Sequence, residues 1–399
     1  MSSEISISLN PANLPTNPKG QDPLFGAEGS CTLNQETTVT TLSDVCGHLN
    51  EDAVKGLLLD GEICDNVLMP RTFLCTKSFL DDKDSQSTMA ERLAWKVGEH
   101  HVGKHVSGGD FLWSDVAVEY WFQIRPSSAS SRYSGASRDD SEDDKALSKS
   151  GITFHYDKDE ELHAMTGIHI HPHLSTVTYL TSAGGPTVVV DRKLQGVGGS
   201  EGEPGGSVRS ASVVYPKAQK HLSFDGRKLH GGDPAMLPPN RKWPPPQDEV
   251  ESGYALRGKG DFNAWFKNNV RVTFLVNVWC WWKPHGVQRM AEPWRAKMSG
   301  YGGVGLEAAK EEATNKTMRH LKGVQVAKSG SEAATTFRYN LTTSVSDKIE
   351  LLELVVPTAD LNGEDTALTW DWDDGCLVTV EKKIQNEKED SSPKRQRVS

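Results

Sequence analysis

The sequence predicts a mainly β protein with flanking helices, built as an antiparallel sandwich or barrel. Three observations lead there. Residues 151–282 hold short runs rich in β-branched and aromatic residues, Gly and Pro punctuate them, and no helical period separates them as in a doubly wound parallel sheet. With 399 residues, 36% of them hydrophobic, the chain can bury one sizeable core and a second small domain.

Taken in order, residues 1–40 are polar and aperiodic and read as a disordered tail. Residues 41–125 read as an N-terminal α/β support segment, with a helix from 89 and a strand over 116–124. The Ser-rich, acidic stretch 126–150 has too little apolar surface to order itself and reads as a mobile loop. The core, 151–285, offers strands at 152–157, 175–181, 187–191, 212–215, 221–224 and 271–279, the third following a Gly184-Gly185-Pro186 turn. Insertions interrupt it at 192–210 and 234–268, whose Gly- and Pro-rich stretches 196–206 and 234–246 read as surface loops. Residues 286–385 read as a helix over 306–321 plus a β-rich C-terminal extension with strands at 335–341, 348–356 and 367–381. Trp279, Trp281 and Trp282 are expected to pack against that extension. Residues 386–399 form a charged, basic-ended disordered tail.

The 44 Lys and Arg against 54 Asp and Glu leave a net charge of −10, so nucleic acid is not an expected partner. No apolar run approaches the roughly 18 residues of a membrane span, and no membrane partner is expected. The first residues lack the basic and apolar regions of a secretory signal. Six cysteines without CxxC spacing read as reduced thiols of a cytoplasmic or nuclear protein, not a secreted one. Lys394, Arg395 and Arg397 fit a short basic pattern that a nuclear import receptor could read.

The chemistry gathers on a few side chains. His155 and Asp157 stand two apart on a strand, so both leave the same face. His230, in Phe224-Asp-Gly-Arg-Lys-Leu-His-Gly-Gly, is a third candidate ligand. Two neutral imidazoles and one carboxylate make the facial triad of non-haem Fe(II) oxygenases, which leaves positions open for an organic chelator and dioxygen. Arg271 and Thr273 also stand two apart. A guanidinium pointing into a barrel requires an anion, and a forked Arg holds a carboxylate through two charge-assisted bonds.

These residues, His155-x-Asp157, His230 within FDGRKLHGG and Arg271-x-Thr273 in RVTFLVNVW, resemble the Fe(II)/2-oxoglutarate-dependent dioxygenase superfamily. The strand STVTYLT followed by GGPTVVVD resembles the family's middle strands. The resemblance covers about 151–282 and implies a double-stranded β-helix (jelly-roll) core. It implies Fe(II) on His155, Asp157 and His230, with 2-oxoglutarate held by Arg271, Thr273 and Tyr179, and dioxygen as oxidant. The outcome would be succinate, CO2 and a hydroxylated or demethylated substrate, either a polypeptide or a small molecule. The interval from His230 to Arg271 is longer than the family's, which fits an insertion and leaves Arg227 and Arg241 as substitute anchors.

Two other readings compete. A non-catalytic jelly-roll would work as a binding module through its C-terminal region. A cupin-like metalloenzyme would use His169, His171 and His173, which otherwise read as a polar rim near the site. His100, His101 and His105 read as solvated.

Overall fold

Strand pairing runs from the outside inwards. In chain order the strands are β1 (Thr38–Thr41), β2 (Phe73–Cys75), β3 (Val116–Arg125), β4 (Ile152–His155), β5 (Leu174–Tyr179), β6 (Thr187–Lys193), β7 (Val208–Val214), β8 (Lys220–Phe224), β9 (Lys228–Gly232) and β10 (Arg271–Cys280). They are followed by β11 (Arg319–Val324), β12 (Ala334–Thr342), β13 (Lys348–Pro357), β14 (Ala367–Cys376) and β15 (Val378–Lys382). β3 pairs with β10, β4 with β9, β5 with β8 and β6 with β7, all antiparallel. These pairs build two sheets, ordered β1-β8-β5-β10-β3-β2 and β11-β14-β7-β6-β9-β4, while β12-β13-β15 make a third. This computed structural model describes residues 37–47, 49–65, 71–82, 87–109, 112–125, 151–193, 208–233, 236, 260–299, 319–324, 334–342, 348–357, 367–376 and 378–382.

The two-residue period of a strand decides what each face meets. On β10, Val272, Phe274, Val276, Val278 and Cys280 join Val118, Tyr120 and Phe122 of β3 under the helices Leu42–Cys46, Glu51–Asp65 and Met89–Gly108. The alternate residues of β10 face the second sheet. There Val177, Tyr179, Leu222 and Phe224 pack against Val189 and Val214. The support helix Met89–Gly108 starts on a capping box: Thr88 Oγ1 accepts from Glu91 N at 3.1 Å, and the Glu91 carboxylate accepts from Thr88 N at 2.8 Å. It ends at Gly109, whose φ of +82° suits the left-handed cap. Each fully buried side chain on its inner face, such as Leu93 or Val97, contributes roughly 1.5–3 kcal/mol.

Several expectations are corrected. Residues 38–40 are not tail: β1 pairs with β8, an edge pairing that four residues cannot announce. The insertion 234–268 ends in a helix the sequence reading did not name, Gly260–Asn269, whose Phe266, with Val270 four residues on, enters the helix-covered core. Arg319 and His320, expected at a helix end, open β11, where non-local pairing with β14 overrides local preference. His101 is not solvated, since it meets His221 at 3.1 Å. The tryptophans meet the start of the C-terminal region, where Val287 packs against the cluster of Trp279, Trp281 and Trp282. Trp279 joins Leu74, Ala117, Leu162 and Ile170, and Trp282 donates to Asp159.

Residues 126–150, 194–207, 237–259, 300–318 and 383–399 lie outside the described residues, and with them Arg241, Lys394, Arg395 and Arg397. Cys46, Cys64, Cys75 and Cys280 are free and buried. Among the described residues no helix is long and apolar enough to cross a membrane.

Candidate metal centre

His155 ends β4 and His230 sits opposite it on β9, Cα partner to Cα partner. Asp157 follows two residues beyond His155. Their ligating atoms all lie within 4.8 Å of one another, and no other such group of three occurs among the described residues. Asp157 Oδ1 is 3.7 Å from His155 Nε2, and Asp157 Oδ2 is 3.7 Å from His230 Nε2. That separation is too long for a hydrogen bond, yet short enough for both atoms to reach one ion at about 2.1 Å.

Backbone carbonyls set the ring states. His155 Nδ1 donates to Thr153 O at 2.8 Å and His230 Nδ1 to Lys228 O at 3.0 Å. Each ring therefore carries its proton away from the centre and turns the Nε2 lone pair towards it. Asp157 Oδ2 accepts from Ser175 Oγ at 2.7 Å. Burial pushes the Asp157 carboxyl up, but His230, His155 and the Ser175 hydroxyl outweigh it and hold it below the usual carboxylate range. Burial pulls His230 down to about 4, against the pull of Asp157, so the ring is neutral. The donor set fits a divalent metal, with the His155 side chain 41% exposed on the open side.

The second feature lies deeper between the sheets. Arg271 is 3% exposed and donates to Gly185 O at 3.2 Å, Gln123 Oε1 at 3.1 Å and Thr187 Oγ1 at 3.0 Å. Among the described residues no carboxylate lies within ion-pair distance of it. Arg227, by contrast, is engaged with Asp225 through bonds of 2.9 and 2.7 Å. Thr273 shares the inner face with Arg271, its Oγ1 3.5 Å from Gln123 O. Tyr179 lies beside the guanidinium, but its hydroxyl is directed to Thr187 Oγ1 at 2.7 Å and Val214 O at 2.9 Å.

His169, His171 and His173 do not converge. His171 Nδ1 instead donates to Asp157 O at 2.5 Å and braces the main chain there, while Cys280 N donates to His173 Nδ1 at 3.3 Å. The sequence reading missed Ser175, Gln123, Thr187 and the buried Glu119 of β3. Glu119 accepts from Trp279 Nε1 at 3.2 Å and is pushed up to about 7, first by burial and also by Asp157. Strand parity was the available signal: Ser175 shares a face with Val177 and Tyr179, and Gln123 with Glu119.

No protein-family model and no curated protein matches the chain. Solved structures do. One is described as a non-heme monooxygenase, the ThoJ–Ni complex, at 14% identity over 62% of this chain and 74% of that one, with a TM-score of 0.30. EctD from S. alaskensis with 2-oxoglutarate and 5-hydroxyectoine is 14% identical over 74% and 91%, TM-score 0.29. The epimerase SnoN with Fe3+, alpha ketoglutarate and nogalamycin RO is 11% identical over 62% and 79%, TM-score 0.29. The similarity is to non-heme and 2-oxoglutarate enzymes.

Proposed function

We propose that the chain is an Fe(II)- and 2-oxoglutarate-dependent oxygenase on a double-stranded β-helix core. The nested pairing β3–β10, β4–β9, β5–β8 and β6–β7 supports that topology, with the two sheets facing each other. The observation that carries the function is the convergence of His155 Nε2, Asp157 and His230 Nε2, with both Nδ1 atoms tied to carbonyls.

His155, Asp157 and His230 would hold Fe(II). The chemistry supplied there, when metal is bound, is decarboxylation of 2-oxoglutarate to succinate and CO2, coupled to oxidation of a prime substrate by dioxygen. The protein's own contribution is placement. Arg271, buried among neutral acceptors, supplies the charge for the far carboxylate of 2-oxoglutarate, with Thr273 beside it. Ser175 orients Asp157, and His171 fixes the main chain of the same residue. The walls of β5, β6, β7 and β8 exclude water from the interior. The exposed edge of His155 marks the side from which the prime substrate approaches.

Succinate formation tests this. Aerobic protein with Fe(II) and 2-oxoglutarate, followed by NMR, is expected to form succinate slowly even without prime substrate. His155→Ala and Asp157→Ala should lower that rate to background. Folded wild type that binds no metal and forms no succinate would move the assignment to a binding module.

A further inference from the structure

The C-terminal sheet β12-β13-β15 has no part in the chemistry above, yet it touches both strands that carry the histidine ligands. β4 is the last strand of its sheet. Its ladder with β9 has two register positions, Ile152↔Gly232 and His155↔His230, with an irregularity between them. A four-residue edge strand joined so sparsely has little of its own to keep His155 within the fraction of an ångström that a metal ligand needs.

Additional support comes from outside the sheet. The Phe154 ring lies against Gly231, the neighbour of His230. A Cβ at 231 would fall 3.0 Å from Phe154 Cγ and 2.9 Å from Ile152 O, so this closeness requires glycine. Phe154 also meets the ring of Tyr339 from β12, centroids 4.6 Å apart and planes at 51°. Tyr339 is 6% exposed, and its hydroxyl donates to Asp233 Oδ2 at 2.6 Å. Asp233 stands three residues after His230 and is itself 6% exposed. One side chain of the extension thus grips β4 through Phe154 and the end of β9 through Asp233.

We propose that Tyr339 is a positioning residue of the metal centre, clamping β4 to β9 so that His155 and His230 keep their spacing. This rests on reading His155, Asp157 and His230 as metal ligands. It gives the C-terminal extension a role in metal binding and not only in docking.

The test uses full-length protein and Co(II), whose visible ligand-field spectrum reports coordination. Wild type, His155→Ala, Tyr339→Ala and Tyr339→Phe are compared for Co(II) dissociation constant, spectrum at saturation and thermal unfolding. Tyr339→Ala is expected to weaken Co(II) by about 10–100-fold, the range for groups that support ligands from behind, and to change the spectrum. Tyr339→Phe, which keeps the ring on Phe154 but gives up the bond to Asp233, should weaken Co(II) by an intermediate factor, and a changed spectrum at saturation, well below the unfolding midpoint, separates displaced ligands from loss of stability alone. Tyr339→Ala with wild-type affinity and spectrum would overturn the proposal. If Tyr339→Ala does not fold, Phe154→Leu carries the same expectation and the same refutation. Absence of Co(II) binding in wild type would instead refute the ligand reading itself, a result separable from failure of the clamp.

Discussion

Arg271 is a buried cation held by a main-chain carbonyl, an amide oxygen and a hydroxyl, all neutral acceptors. Removing a buried charge that pairs with a bound carboxylate costs several kcal/mol, so Arg271→Ala should raise the 2-oxoglutarate requirement on the order of a hundredfold. Fe(II) binding should be unchanged, and a titration that separates metal from cosubstrate checks both. Gly184 makes room for this side chain. Its φ is +95°, and a Cβ there would lie 2.5 Å from Arg271 Cβ. Gly184→Ala should therefore destabilise the fold by about 1–3 kcal/mol in urea unfolding and weaken 2-oxoglutarate as Arg271 shifts. Arg271-x-Thr273 could be read from the sequence because period-two parity fixes which face a residue shares on β10, whereas Asp157 lies beyond the end of β4, so the HxD pair is not held together by a shared strand as the sequence suggests. The carbonyl partners of His155 and His230 could not be read, because they depend on rotamers and on the main chain two residues back.

Between elements, the helix Met89–Gly108 meets the first sheet through histidines that are distant in sequence. His101 Nε2 and His221 Nε2 are 3.1 Å apart with ring centroids at 5.4 Å, a nearly collinear N–H···N bond, and His221 Nδ1 is 2.8 Å from Thr178 Oγ1. Burial, with a smaller push from His100, lowers His221 to about 3. Its unfolded form takes up a proton near pH 6.5 while the folded form does not, so this residue's contribution to stability falls as pH drops from 6.5 towards 3. Between pH 7 and pH 5 wild type should lose about 2 kcal/mol more stability than His221→Gln, from one and a half pH units at about 1.4 kcal/mol each. Parallel denaturation of the two proteins at both pH values checks the sign and the size. The strands of the core were readable because each carries its own β-branched run. The His101–His221 contact was not, since 120 residues separate the two rings. Nor was β9, whose Lys-Leu-His-Gly-Gly looks like a turn until β4 and β6 pair with it.

For the whole molecule, ligand occupancy and stability should rise together. At a hundredfold excess over its dissociation constant, a metal that binds only the folded state adds about 2.7 kcal/mol. Co(II) should therefore raise the unfolding midpoint of wild type and leave that of His155→Ala unmoved. The mainly β architecture was legible, but the way the C-terminal strands attach was not. β14 extends the second sheet beside β7, and Tyr339 reaches β4 and the end of β9 from a different sheet. Both depend on long-range pairing that local pattern does not encode. The central claim is that one site binds Fe(II) and 2-oxoglutarate together, and an anaerobic titration tests it most directly. Fe(II) followed by 2-oxoglutarate should produce the visible metal-to-ligand charge-transfer band of the chelate. That band should be absent in His155→Ala and should need far more 2-oxoglutarate in Arg271→Ala. Folded wild type that binds Fe(II) but shows no band at any 2-oxoglutarate concentration would contradict the account.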